Sequence, residues 1–382
     1  MTDALARLTW HYEHPRAAAL AQHRQGRPVV GVTSNTVPWE IVRAAGAFPV
    51  LVTAAHEATP LADPFMEPVF DRRIRSVFED VLAGRWSFLR LMVMPRTSEW
   101  EHKLYLYLLE VRRQAPRRKA LPPPYLYDLL HARSTAASRH GLARTQALKD
   151  DLQAAVGRTF GVRQLAAAVA ESNRARRAQR ALLRLRRGRA PRLNGSEAMA
   201  LLGAWFFMDR REYAALATRA AGEIARRPPL PGPRVMIKGS PLDHPALHRA
   251  IERHGAVVVA EDDWWGSRSA GRDVAGGGSI VSLFRKYYLD APGPRVFPPD
   301  VADAWFMRES LRDIDGVVYY LPPDDDVLGW DYPRHRRFLE GQGVPVTLVR
   351  ADARHLSAAE HDRLAEFVAG LAPRRLQRKA RS

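Results

Sequence analysis

Short apolar runs alternate with helical patterns in both halves of the chain, and this alternation constrains the fold more than any other feature. Residues 27–53 read RPVVGVTSNTVPWEIVRAAGAFPVLVT. The β-branched run from Val29 to Val32 leads into a polar loop, Pro38 opens an apolar-periodic helix, Gly46 stops it, and Phe48 to Val52 form a second strand. Proline in a first helical turn and glycine past the last is the expected asymmetry. Residues 89–94 (LRLMVM) are a further buried strand, followed by the loop Pro95–Trp100 and a helix carrying Lys103 to Arg113. From about 140 to 227 the sequence is helical and rich in Ala, Leu and Arg, and PPLPGP (228–233) marks a turn. A second series follows: strand RVMIKG, helix PLDHPALHRAIERHG, strand AVVVAEDD, then strand DGVVYYL, helix DYPRHRRFLEGQG, strand VPVTLV and a closing helix over 356–371. Strands alternating with helices imply parallel sheets. The expected fold is α/β: two Rossmann-like parallel-sheet lobes (1–139 and 228–373) joined by a helical segment (140–227), with a cleft between the lobes and a basic tail over 374–382.

Composition narrows the chemistry. The 382 residues include no cysteine. Disulfides, zinc–thiolate sites and thiol nucleophiles all need a sulfur that the chain lacks. The formal net charge is +18, yet only six of the 59 basic residues are lysine (103, 119, 149, 238, 286 and 379). Positive charge suits an anionic partner; a GC-rich genome also produces such an Arg excess, so the charge by itself identifies none. The opening residues MTDALARLTWHYEHPR have no apolar stretch of the signal-peptide kind. No segment approaches the roughly 18 uncharged apolar residues of a membrane span. A soluble, cytoplasmic protein with no membrane contact is the expectation.

Open α/β sheets bind ligands beyond the carboxyl ends of their strands, so the strand-end loops are the candidate positions. They are Thr33-Ser34-Asn35-Thr36, Arg96-Thr97-Ser98-Glu99, Lys238-Gly239-Ser240, Asp262 to Gly266, and Pro322 to Asp326. The same residue types also cap helices. GxxxxGK[ST] and GxGxxG are absent, so nucleoside triphosphate or dinucleotide binding is not expected. Asp262-Asp263 and Asp324-Asp325-Asp326 lack the spacing of an EF-hand, and no metal is expected. His244 and His248 stand at i, i+4 on the expected helix without a Glu between them, which reads as a solvated face. Nine arginines and no acid lie between Glu171 and Glu197, interleaved with Ala175, Ala178, Leu182 and Leu185. This pattern is an amphipathic helix with one basic face, solvated or facing phosphates. No nucleic-acid-binding motif accompanies it, and no GxSxG elbow appears.

Several ordered motifs together resemble the 2-hydroxyacyl-CoA dehydratase and benzoyl-CoA reductase subunit family, from about residue 27 to 370. In GVTSNTVPWEIVRAAGAFPV the family pattern is met at Pro38, Glu40, Ala44, Ala45 and Gly46. LRLMVMPRTSEWEHKLYLYL is similar to its second motif. Asn173, Arg174 and the Gly195-Ser196-Glu197 turn fit its linking helices. KGSPLDHPALHRAIERHGAVVVAEDDWWGSR carries Gly239, Ser240, Glu252, Gly255, Asp262, Asp263, Gly266 and Arg268 of its most distinctive stretch. DGVVYY, DYP and GVPVTLV, then Arg363 and Phe367, match the last lobe.

The resemblance implies a [4Fe–4S] cluster held by three cysteines from three strand-end loops, and radical dehydration or ring reduction of acyl-CoA substrates. The matching positions here are Ser34, Ser98 and Asp325. Oxygen donors are hard, whereas iron–sulfur clusters want thiolate, so no cofactor is expected. What remains implied is an acyl-CoA or other anionic small molecule in the cleft, bound by Asn35, Arg96, Gly239, Ser240, Asp263 and Arg268. Glu40 or Asp325 would be an acid or base, and Ser34 and Ser98 would donate hydrogen bonds. The family also implies pairing with a cluster-bearing paralogue or a homodimer. A non-catalytic scaffold or ligand sensor is the alternative, and a basic nucleic-acid-binding protein the remaining one.

Overall fold

Two four-stranded parallel sheets with one strand order frame the chain. The computed structural model describes residues 3–114, 121–290, 298–323 and 325–371; Asp324 and the tail 374–382 lie outside the described residues. The N-terminal lobe runs α1 (Asp3–Glu13), α2 (Ala17–Arg24), β1 (Val29–Val32), α3 (Trp39–Ala44), β2 (Phe48–Leu51), α4 (Arg72–Leu82), β3 (Leu91–Pro95), α5 (Glu99–Gln114) and β4 (Pro124–Tyr127). Helices α6 (Thr135–Val156), α7 (Val162–Arg186), α8 (Gly195–Gly203) and α9 (Arg210–Ile224) form the middle. The C-terminal lobe holds β5 (Arg234–Gly239), α10 (Ala246–Arg253), β6 (Val257–Glu261), α11 (Ile280–Phe284), a π-turn (Arg285–Leu289) and α12 (Pro299–Glu309). It closes with β7 (Gly316–Leu321), α13 (Asp326–Gly329), α14 (Tyr332–Gly341), β8 (Val346–Arg350) and α15 (Ala358–Ala369).

The sheets are ordered β2-β1-β3-β4 and β6-β5-β7-β8, with every pairing parallel. Parallel neighbours need helical crossovers, which cover both sheet faces. That is why the strands are near-continuous apolar runs rather than alternating ones: β1, β2, β3 and β7 are buried at every position. In each lobe the chain crosses back over its first strand, so the order reverses between β1 and β3 and again between β5 and β7. The crevice at that reversal is where open α/β sheets take ligands.

The expected strands are present to within two residues at their ends, and Gly46 stops α3 with φ +88°. The expected helix before β6 begins later, at Ala246, because Pro241 and Pro245 interrupt its first turn. The proline run 122–124 concealed β4. Pro124 is the first residue of an edge strand, where a missing N–H leaves the ladder intact.

The solvated basic face expected of α7 holds at Arg174, Arg177 and Arg184, which are exposed, and is corrected at two positions. Arg176 and Arg186, 2% and 0% exposed, are interior residues. Arg176 donates to Glu40 of α3 (Nη2 to Oε1, 2.5 Å) and to Tyr287 of the π-turn (2.8 Å). Arg186 donates both terminal nitrogens to Glu261 at the end of β6, one at 2.8 Å, and one of them also to the Val258 carbonyl at 3.1 Å. One helix thus anchors one guanidinium in each lobe. His248 is likewise not on a solvated face: it is fully buried, with Nε2 2.9 Å from Glu261.

Removing one partner of such a pair strands a buried charge, which costs about 3–5 kcal/mol. Arg186→Leu is therefore expected to lower unfolding stability by about that amount in urea titrations, and adding Glu261→Gln should recover a large part of the loss. A single-variant loss below about 1 kcal/mol would contradict the assignment.

Candidate functional site

The carboxyl ends of the two sheets face a shared cavity of about 1520 Å³. Its walls include the loops after β1 and β3 on one side and those after β5, β6 and β7 on the other. Ser34, Asn35, Ser98, Gly239, Ser240, Asp263, Arg268 and Asp325 all line it. The structure thus brings together eight of the ten residues expected at the site. The other two, Arg96 and Glu40, are not among its lining residues. The Arg96 guanidinium lies 3.5 Å from Asp128. Both Glu40 oxygens are taken by Arg176 and Tyr287. Burial alone would raise the Glu40 carboxyl; Arg176 and the hydrogen bonds outweigh it and hold the pKa below the ordinary value. Glu40 is placed as a structural anion, not where it could exchange a proton with a ligand.

The local chemistry of each strand-end loop explains its shape. Ser34 Oγ accepts from Thr36 N (3.2 Å), and Ser98 Oγ caps α5 by accepting from Glu101 N (3.2 Å). Asp325 caps α13 through Leu328 N (3.0 Å), and its other oxygen accepts from Ser240 Oγ (2.6 Å), linking the loops after β5 and β7. Asn35 Nδ2 donates to the Ser269 carbonyl at 3.1 Å, tying the first lobe to the second across the cavity. Gly239, at φ +127°, lies so close to β7 that a Cβ would run into the Tyr320 carbonyl oxygen.

Several ionisable groups in the wall have shifted affinities for protons. Asp262 is held as a carboxylate by Lys238 (2.5 Å) and Arg268 (3.0 Å), which outweigh its burial. Its neighbour Asp263 has no such cation among the described residues. Burial, reinforced by the Glu261 charge, pushes the Asp263 carboxyl up to about 7, against weaker support from the backbone amides of Gly266 and Leu242. Glu101 is raised by burial despite Arg73 and hydrogen bonds from Thr33 (2.9 Å) and Thr97. Burial lowers the His244 imidazole to about 4, against the opposing Asp243. Its Nδ1 accepts from Ala246 N at 3.3 Å, which assigns the ring hydrogen of the neutral form to Nε2. Burial, with Arg176 beside it, lowers Lys286 to about 8. Near neutral pH the cavity therefore offers a carboxyl that can give or take a proton, a neutral imidazole, several hydroxyls and a depressed amine. Such a set suits general acid–base chemistry.

Glu101, His244 and Lys286 were not legible as site residues. Glu101 stands two residues past the strand-end loop Arg96–Glu99. His244 precedes the helix on which it was expected. Lys286 is placed by a π-turn that no local sequence signal marks.

The geometry defines a class: an α/β protein in which two parallel sheets present their carboxyl ends to a shared ligand cavity. Residues 35–368 match the 2-hydroxyglutaryl-CoA dehydratase D-component family, and the chain belongs to that family. Ser34 falls just before the matched stretch, and Ser98 and Asp325 within it. The chain is 28% identical over 312 residues to a protein of Escherichia coli (strain K12) named as a dehydratase subunit, YjiM, covering 77% of this chain and 78% of that one. It is also 20% identical over 151 residues to the (R)-phenyllactyl-CoA dehydratase beta subunit of Clostridium sporogenes, covering 38% and 40%.

A carboxyl whose folded pKa is raised is penalised as pH climbs from its unfolded value, near 3.8, to its folded value, about 7. Relative to wild type, Asp263→Asn should therefore gain stability as pH rises from 5 to 8, by on the order of 1 kcal/mol for each pH unit up to about 7. Thermal melts across that range measure it. A difference that does not change with pH would remove the raised carboxyl.

Proposed function

We propose that the protein is a cluster-free 2-hydroxyacyl-CoA dehydratase-like subunit that binds an acyl-CoA thioester or a similar anionic ligand in the interlobe cavity. The observation that carries this reading is that Ser34, Ser98 and Asp325, the positions matched to the family's cysteines, all line one cavity. Their oxygens are a hard donor set, and each already serves a local turn or helix cap. This donor set does not fit a [4Fe–4S] cluster. Membership of the family supports the ligand class, and the cavity wall has the charge for it. Arg184 and Arg272 line the cavity and make no ion pair among the described residues, so they are available to phosphates. The two serine hydroxyls make no donation among the described residues and are free to donate to a ligand. Asp263 and Glu101 are the groups suited to hold or release a proton there. The D-component relationship supports assembly with a second, paralogous subunit. Among the described residues no helix is long and apolar enough to cross a membrane.

The test is anaerobic purification with any co-encoded paralogue, followed by iron and sulfide analysis of this chain and thermal shift with a panel of CoA thioesters. The chain is expected to hold no stoichiometric iron and to gain about 2.7 kcal/mol at a ligand concentration a hundredfold above Kd. Arg184→Glu with Arg272→Glu should weaken that shift. Stoichiometric cluster iron in this chain, or no shift with any thioester, would overturn the reading.

A further inference from the structure

Lys286 is a buried cation in the cavity wall that stands outside the ion-pair network of the described residues. Lys286 is only 6% exposed, yet it makes no hydrogen bond or ion pair among the described residues. It stands on the π-turn Arg285–Leu289, between α11 and the segment leading to α12. The next residue, Tyr287, turns inward to Glu40 and Arg176, and Tyr288 bonds the Ala132 carbonyl at 3.1 Å. Those two anchors fix the turn, and Lys286 lines the cavity from it. Its Nζ sits against Gly271, where a side chain on residue 271 would collide with it.

The charges around this amine are Arg176 and Arg180 from α7, Glu40 from α3 and Asp290 at the end of its own turn. Glu40 is already paired with Arg176. Arg180 is paired with Asp273 at 2.7 Å. Among the described residues no carboxylate is committed to the lysine. An ammonium that is desolvated, set beside guanidinium groups and denied a counter-ion releases its proton readily, the condition that turns lysine into a nucleophile.

We propose that Lys286 is a nucleophilic amine that condenses with the carbonyl carbon of an anionic aldehyde or ketone in the interlobe cavity, forming an iminium link. The free amine adds to the carbonyl carbon, the carbonyl electron pair moves to oxygen, and that oxygen takes a proton. The carbinolamine then expels water as the nitrogen lone pair closes the C=N bond. The net change, R–NH3⁺ plus O=CR2 to R–NH⁺=CR2 plus H2O, conserves atoms and charge and needs no oxidant or reductant. Arg184, one helical turn beyond Arg180, and Arg272, next to Gly271, supply the attraction for the ligand's anionic group. The natural ligand need not be a CoA thioester for this chemistry.

The scarcity of lysine makes the test clean. Lys238 is committed to Asp262 (2.5 Å), Lys103 lies 4.9 Å from the Trp100 ring centre and Lys149 lies 5.7 Å from that of Phe160. The full chain is incubated with pyridoxal 5′-phosphate, an anionic aldehyde, reduced with borohydride and mapped by peptide mass. One equivalent is expected on Lys286, about tenfold or more ahead of Lys103 and Lys149 at pH 7.5. Its labelling should rise to half-maximum near pH 8, the value to which burial and Arg176 lower the amine. Lys286→Arg, with its melting temperature checked against wild type, should lose that equivalent. Even labelling of all lysines in the wild-type chain, or one equivalent retained in Lys286→Arg, would overturn the proposal. Because the probe carries no CoA, failure here is distinct from failure to bind thioesters.

Discussion

Two arginines on α7 hold the arrangement that everything else uses. Arg176 and Arg186 are ten residues apart, about 15 Å along a helix, and each is buried against a carboxylate from a different lobe. Bringing a charge out of water is costly enough that a buried pair gains little over apolar packing, whereas a broken pair is severely destabilising. The pairs therefore act as locators. They fix α3 and β6 against one helix, and the carboxyl ends of both sheets must then look at each other. The cavity is a consequence of that placement and of the strand order, which reverses at β1/β3 and at β5/β7.

In the cavity wall and the layer behind it, charge is divided between groups that are spent and groups that are available. Glu40, Glu261 and Asp262 are pinned as carboxylates by arginine or lysine, so they titrate only at low pH and belong to the framework. Asp263 lies beside two of them without a cation of its own, and the same burial that the ion pairs overcome elsewhere leaves it raised to about 7. Lys286 is the complementary case, a cation without a carboxylate. Neighbouring residues in one wall thus carry opposite roles because of one difference, the presence or absence of a partner of opposite sign.

The fold was legible because parallel strands buried on both faces leave uninterrupted apolar runs, and because Pro38 and Gly46 punctuate a helix in the usual order. The one strand that was missed, β4, follows two prolines, begins on a third and survives as an edge. Of the site, the hydroxyl and acid loops were legible because strand ends are where such sheets bind ligands. Glu40 and Arg96 were misplaced: Glu40 follows the first strand-end loop, but the inward turn of α3 consumes its charge in the core, and Arg96 turns toward Asp128. The depth of Arg176 and Arg186 was invisible because an Arg-rich helix looks the same in sequence whether its arginines face water or carboxylates. Lys286 depends on a π-turn and on long-range packing, which leave no periodicity to read.

Ligand binding between the carboxyl ends of the two sheets can be seen in a crystal structure of the chain with a CoA thioester. Density for the ligand is expected between the Ser34 and Ser98 loops and the Ser240 and Asp325 loops, with its phosphates toward Arg184 and Arg272. Density confined to the outer surface of either lobe, with that cavity unchanged, would contradict it.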